Sequence, residues 1–200
     1  RAVSPFKSLE SESTAQYTKL DKKIEAGASF IITQLGYDVH KFNELIRYHI
    51  ENHAHVPVMA SVYLLSPRSA RAMNLGRVPG VYVSDRLYRK IIKEWEEPRQ
   101  GLKAAIERAA RLGVVLKGLG YRGIHIGGIH KNFDTVGRIL DRMEEIQASW
   151  TDYMSEFAEE KETHFHYRYD QPVNGKSGKT MPVTSLKELM FEHIPYRSLA

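Results

Sequence analysis

The chain of 200 residues contains no cysteine. That absence removes thiol nucleophiles, disulfides and thiolate metal sites, and it fits a reducing compartment. No run of eighteen or more apolar residues occurs, nor a charged-then-apolar leader, so neither a membrane span nor a signal peptide is visible. The cytoplasm is the expected location, without a membrane partner. Charge of one sign is scarce too: 29 Lys and Arg stand against 24 Asp and Glu, for a net +5. The cations are scattered among acids rather than massed on a stripe, so no nucleic-acid partner is expected. Local anion sites for phosphates or polyglutamate would give the same count. Internal repeats and low-complexity tracts are also missing.

What remains is an ordinary composition, 42% hydrophobic and 26% charged, enough for one soluble globular unit or part of one. Ser13 to Ala26 places Ala15, Leu20 and Ile24 at helical spacing, and Gly27 stands where a helix C-cap glycine belongs. Phe30 to Thr33 is a short β-branched run of the kind buried on both faces of a parallel sheet. Asp38 caps a helix with Phe42, Leu45, Ile46 and His49 on one face. Val56 to Leu64 reads as a second buried strand, and Ser66-Pro67 opens a helix through Met73. A turn and a short extended piece at "VPGVYV" precede a helix capped by Ser84 or Asp85. A strongly amphipathic helix then spans Leu102 to about Leu116, ended by Gly118 and Gly120. Gly123 to Ile126 is a third strand. The helix after it turns Phe133, Val136, Ile139, Leu140 and Met143 inward. Strand and helix alternate, which means parallel β/α crossovers. With the stub "AVSPF" the strands number about half of a closed eight-stranded barrel, so the chain is expected to begin within a domain.

After about Glu144 the character changes. "QASWTDYMSEFAEEKE" can continue as helix, "THFHYRYDQPV" is extended and aromatic, "NGKSGKT" is a flexible turn and "SLKELMFEHIPY" a short helix. Residues 144–200 therefore read as an extension or a connection to a further domain, after a β/α unit at 1–143.

In parallel β/α architectures ligands gather at the carboxyl ends of the strands. Gln34 sits at such an end. Its amide can pair with a flat heterocycle that carries an amide and an amine side by side, such as a pterin, or it can tie two loops together. "GIHIGGIHKN" closes the third strand with two glycines, His130 and Lys131. The glycines either form a turn or let a ligand approach the backbone, and Lys131 can reach a carboxylate or phosphate. His125 alternates with Ile124 and Ile126, as a packed or hydrogen-bonded histidine does. Lys19, Lys22 and Lys23 form a basic helix edge, either solvated or set to neutralise a pyrophosphate. His164, His166 and Asp170 lack a convincing further ligand, so no metal is expected. "GKSGKT" lacks the Walker spacing and reads as a surface turn.

The stretch "KKIEAGASFIITQLGYD" closely resembles flavin-dependent methylenetetrahydrofolate reductases, in which a helix ending Lys-x-x-Ala-Gly-Ala leads into a strand ending Ile-Thr-Gln. The likeness runs from about Ala2 to Met143, with "AVSPF", "FIITQ", "VPVMASV" and "GIHIGG" in the places of the fifth to eighth barrel strands. It implies the C-terminal half of a (β/α)8 barrel. It also implies FAD across the barrel mouth, NAD(P)H as reductant and hydride transfer to a methylene folate. Gln34 would bind the pterin; Lys23, Lys22, Lys19 and Gln16 would face the FAD; Lys131 would stand near the substrate. Ser69 occupies the place of a second substrate glutamine, Met73 that of a stacking aromatic, and the segment from Val78 to Lys117 is longer than in compact bacterial members. The family's first-strand glutamate, its general acid, and its fourth-strand aspartate belong to the other half of the barrel, so no catalytic acid is named here. An N-terminal half-barrel or a second copy is the expected partner. A non-catalytic folate- or flavin-binding component of a methyl-transfer system is the alternative.

Overall fold

The computed structural model describes residues 2–7, 9–128 and 132–158. Four parallel strands form one sheet in the order of the chain: β1 (Ala2–Val3), β2 (Ile31–Leu35), β3 (Val58–Tyr63) and β4 (Gly123–Gly127). Helix α1 (Glu10–Glu25) joins β1 to β2 and α2 (Val39–His53) joins β2 to β3. Between β3 and β4 run α3 (Pro67–Asn74), α4 (Asp85–Glu94) and α5 (Pro98–Leu119). Helix α6 (Phe133–Ile146) follows β4 and passes into 3-10 turns at Gln147–Phe157, kinked at Ser149.

Local chemistry fixes most boundaries. Gly27 takes φ +86°, and the turn is locked by Gly27 N–H donating to Ile24 O (2.8 Å) and Ala28 N–H to Lys23 O (3.0 Å). A side chain is strained at that φ, so the helix stops at the glycine. The Asp38 carboxylate accepts from His40 N–H at 2.9 Å, and Ser84 caps α4 by accepting from Leu87 N–H at 3.2 Å. At α5, Pro98 opens the helix and Gly120, at φ +110°, ends it.

The core lies on one face of the sheet. Ile31, Val58, Ala60 and Val62 are buried there, in register with Ile124 and Ile126. Helix α5 covers them with Leu112, Val115 and Leu116, and its Gly113 and Gly118 let Met143 of α6 and Trp150 of the 3-10 turns come close. Met154 and Phe157 join the same core, so residues 147–157 pack against α5. Helix α2 contributes Phe42, Leu45, Ile46 and His49, as its periodicity predicts.

Three expectations are corrected. Phe133 and Leu140 do not face inward: they are 82% and 50% exposed, because α6 docks through Thr135, Ile139 and Ile146, a stripe about 100° around the helix from Leu140. Phe30 lies outside β2 and is exposed. Ile32 and Gln34 are only partly covered, so β2 is not buried on both faces. The α5 helix is also longer than its apolar stripe, since Pro98 initiates it before the stripe begins.

His49 is buried with Nε2 against Val56 O, so Nε2 carries the proton, and Nδ1 has no partner among the described residues. Burial above all holds its pKa below the usual histidine value, as it does for His40. Histidine in the unfolded chain titrates near 6.5. A folded-state pKa below that value gives stability above about pH 6.5 that is lost as pH falls through the folded pKa. The melting temperature should therefore drop between about pH 7 and 5. His49→Gln, which can still donate to Val56 O but does not titrate, should flatten that drop. Thermal melts of both proteins across this range check it.

Candidate functional site

The carboxyl end of β2 is irregular. Ile32 pairs with Met59 and Leu35 with Ser61, so Thr33 and Gln34 together oppose a single residue of β3. This is a β-bulge, which bends a strand and re-aims its side chains. The interrupted ladder is repaired from the side: Ser61 N–H donates to Thr33 Oγ1 (3.0 Å) and the Ser61 hydroxyl donates to Thr33 O (2.7 Å). Ser61 Oγ also lies 3.2 Å from Nδ1 of His125, which is exposed and hydrogen-bonded rather than packed in the core.

The bulge presents the Gln34 amide to the loop after α3. Gln34 Nε2–H donates to Pro79 O at 3.0 Å, and its Oε1 accepts from the N–H of Leu35 at 3.0 Å. The end of β1 holds the same loop, the Ser4 hydroxyl donating to Gly80 O at 2.7 Å. Gly80 has φ +74°, and a Cβ there would stand 3.1 Å from Ser4 Oγ, so the loop approaches the strand ends at a residue that favours glycine on both counts. Gln34 thus ties strand end to loop in this state. The donor and acceptor that make the tie are those a flat heterocyclic amide would use.

Ser69 lies on α3 as the partner in a capping box with Ser66. Ser66 N–H donates to Ser69 Oγ (2.9 Å), Ser69 N–H donates to Ser66 Oγ (3.3 Å), and the Ser69 hydroxyl donates to Ser66 O (3.0 Å). Its hydroxyl serves the helix start, four residues beyond the end of the Val-Tyr-Leu-Leu run. Met73 is buried on the same helix. Lys131 and His130 lie outside the described residues, as do His164, His166 and Asp170. Among the described residues no group of three or more His, Asp or Glu could hold a metal ion, and no helix is long and apolar enough to cross a membrane.

Gln16, Lys19 and Lys23 recur at i, i+3 and i+7 along α1 and so share a face, with Lys22 beside Lys23 in the last turn. Lys19 and Lys22 are exposed, and Gln16 and Lys23 are half-buried. Asp21, the acid nearest in sequence, is turned toward α2, where it accepts from the Tyr48 hydroxyl at 2.8 Å and lies 2.7 Å from His53 Nε2. Of this set, Lys22 and Lys23 lie in the last turn of α1, which leads into the start of β2, whereas Gln34 is at the other end of that strand, roughly 10 Å away along it.

The sequence gives no warning of the bulge or of the Ser4 and Gln34 ties to the Pro79–Gly80 loop. "VPG" signals a turn, but not where the turn lands. The buried pair Lys41 and Glu44 (Nζ to Oε2 3.3 Å) beneath the start of α2 was equally hidden by an ordinary charged spacing. No curated protein matches this chain. The family described as methylenetetrahydrofolate reductase matches it over residues 3–144, from Val3 of β1 through β2, β3 and β4 and the helices between them. The chain belongs to the methylenetetrahydrofolate reductase family.

Proposed function

We propose that residues 1–143 form strands five to eight of a (β/α)8 barrel, and that the barrel reduces 5,10-methylenetetrahydrofolate to 5-methyltetrahydrofolate. Family membership supports an oxidoreductase of this general kind. The observation that carries the finer reading is the bulge at Thr33–Gln34, which places a two-sided amide at the carboxyl end of a parallel strand, where such folds bind ligands. Gln34 would release Pro79 O and turn the same donor and acceptor to the pterin. Lys131 and Ser69 are the proposed neighbours of the folate.

FAD is the proposed cofactor and NAD(P)H the reductant. The donor set on α1 fits the group: one amide and three ammonium groups near a single helix face suit a pyrophosphate. Lys23, Lys22, Lys19 and Gln16 would hold it. The flavin supplies the hydride relay when bound; these side chains fix its charge and position. A protein in the cytoplasm, completed by an N-terminal half-barrel or by a second copy, is the proposed setting. The two outer strands β1 and β4 each pair on one side only among the described residues, as an opened barrel would.

The native protein tests this directly. It should purify with a flavin spectrum that NADH or NADPH bleaches without oxygen and that 5,10-methylenetetrahydrofolate then restores. Bleaching with no restoration would instead favour a flavin-binding component that lacks the reductase reaction.

A further inference from the structure

A cleft of about 230 Å³ opens between α4, α5 and the 3-10 turns, lined among others by Tyr37, Arg86, Lys90, Arg108, Glu156 and Phe157. It shares no residue with the Gln34 site or with the basic face of α1. Arg108 is only 5% exposed. Its Nη2 donates to the Glu94 carboxylate, but Nε and Nη1 are buried with no hydrogen-bond partner among the described residues. A guanidinium cannot shed its charge to escape burial, so its unpaired donors are a standing cost unless an acceptor supplies the missing bonds.

The rim repeats the sign. Arg86 and Lys90 stand one turn apart on α4, both exposed. Glu156 is the carboxylate in the lining, and it is already engaged, by Lys90 Nζ at 3.0 Å and by Arg111 Nη1 at 3.0 Å. Burial works against its charge, yet those two cations hold its pKa below the usual glutamate value. It therefore does not answer Arg108. Tyr37 and Phe157 give the cleft aromatic walls. The volume suits a small molecule rather than a dinucleotide.

We infer that this cleft binds a small oxyanion, a carboxylate or a phosphate, with Arg108 as its buried donor and Arg86 and Lys90 at its mouth. Charge-assisted hydrogen bonds from a guanidinium are the usual means of holding such groups. Nothing in the folate chemistry of the Gln34 site requires it.

The full chain, labelled with 15N, is titrated with inorganic phosphate and separately with succinate, at constant ionic strength set with sodium chloride. The Nε–Hε resonance of Arg108, assigned by its loss in Arg108→Lys, should shift saturably with at least one probe. In the double variant Arg86→Gln, Lys90→Gln, whose residues are solvent-exposed, the apparent Kd should weaken by about tenfold or more, as two charge-assisted contacts are lost. Should Arg108→Lys not fold, the melting temperature is the readout: a saturable rise in the wild type that the double variant lacks. A response to phosphate alone or to succinate alone identifies the anion. No response to either, a response equal to that of chloride, or an undiminished response in the double variant overturns the inference; the first of these is also what occupation by the chain's own acidic residues would give. None of these outcomes depends on flavin or folate, so the oxyanion site can fail while the reductase reading stands.

Discussion

Phe42→Ala is expected to cost about 3–5 kcal/mol of unfolding free energy, the largest effect of any single substitution considered for this chain. Phe42 is fully buried. Its ring meets Phe6 at 4.9 Å and Tyr121 at 5.7 Å, both edge-on, so it links the segment after β1, helix α2 and the turn between α5 and β4. Tyr121 is anchored beside it by donating its hydroxyl to Phe42 O at 2.8 Å. Truncation would remove both ring contacts and leave a cavity bounded by three separate parts of the chain, which cannot collapse together. Domains of this kind have only about 5–15 kcal/mol in total, so the variant should be half-unfolded under conditions the wild type tolerates. Urea titration followed by circular dichroism measures it. A loss below about 1 kcal/mol would mean that the aromatic cluster is not packed as described.

The second large effect is on binding. In the native holoprotein Gln34→Ala should weaken folate binding by about 1–3 kcal/mol, roughly 5- to 150-fold in Kd, as when a ligand loses a buried hydrogen-bonding partner. Reduction of the flavin by NAD(P)H should stay near normal, because Lys22 and Lys23 in the last turn of α1 adjoin the opposite end of β2 from Gln34. The two half-reactions, measured separately in rapid mixing, distinguish the roles of the residue. Gln34 also ties Pro79 O to the end of β2. Equal loss in both half-reactions would therefore show that its work is to hold the Pro79–Gly80 loop, a tie Ser4 alone cannot keep.

Several features were legible in the residues themselves. The alternation of strand and helix, the glycine stop at Gly27, the caps at Asp38, Ser66 and Ser84, and the face shared by Phe42, Leu45, Ile46 and His49 are local matters. They depend on dihedral preference, on a side chain within three residues, or on helical period, all of which a sequence displays. Gln34 was visible as a strand-end amide for the same reason. The resemblance around Ile-Thr-Gln agrees with the family match over residues 3–144.

What surrounds Gln34 was not local. Its amide meets Pro79, 45 positions away, and Ser4 meets Gly80 across 76 positions. The one-residue slip in the β2–β3 register that aims the amide arises from pairing between strands, where Thr33 and Ser61 replace ladder hydrogen bonds with side-chain ones. Helix α6 shows the same limit. Its apolar residues fill two stripes, and only docking against α5 decided that Ile139 and Ile146 would be buried while Phe133 and Leu140 face outward. Arg108 sits among alanines on a helix whose pattern marks it as an ordinary surface charge, until α4 and the 3-10 turns close over it. The sequence by itself determined the elements and their order, since those follow from short-range preference and period. The tertiary structure alone decided which polar groups meet, because their partners come from distant parts of the chain and burial is a property of the assembled whole.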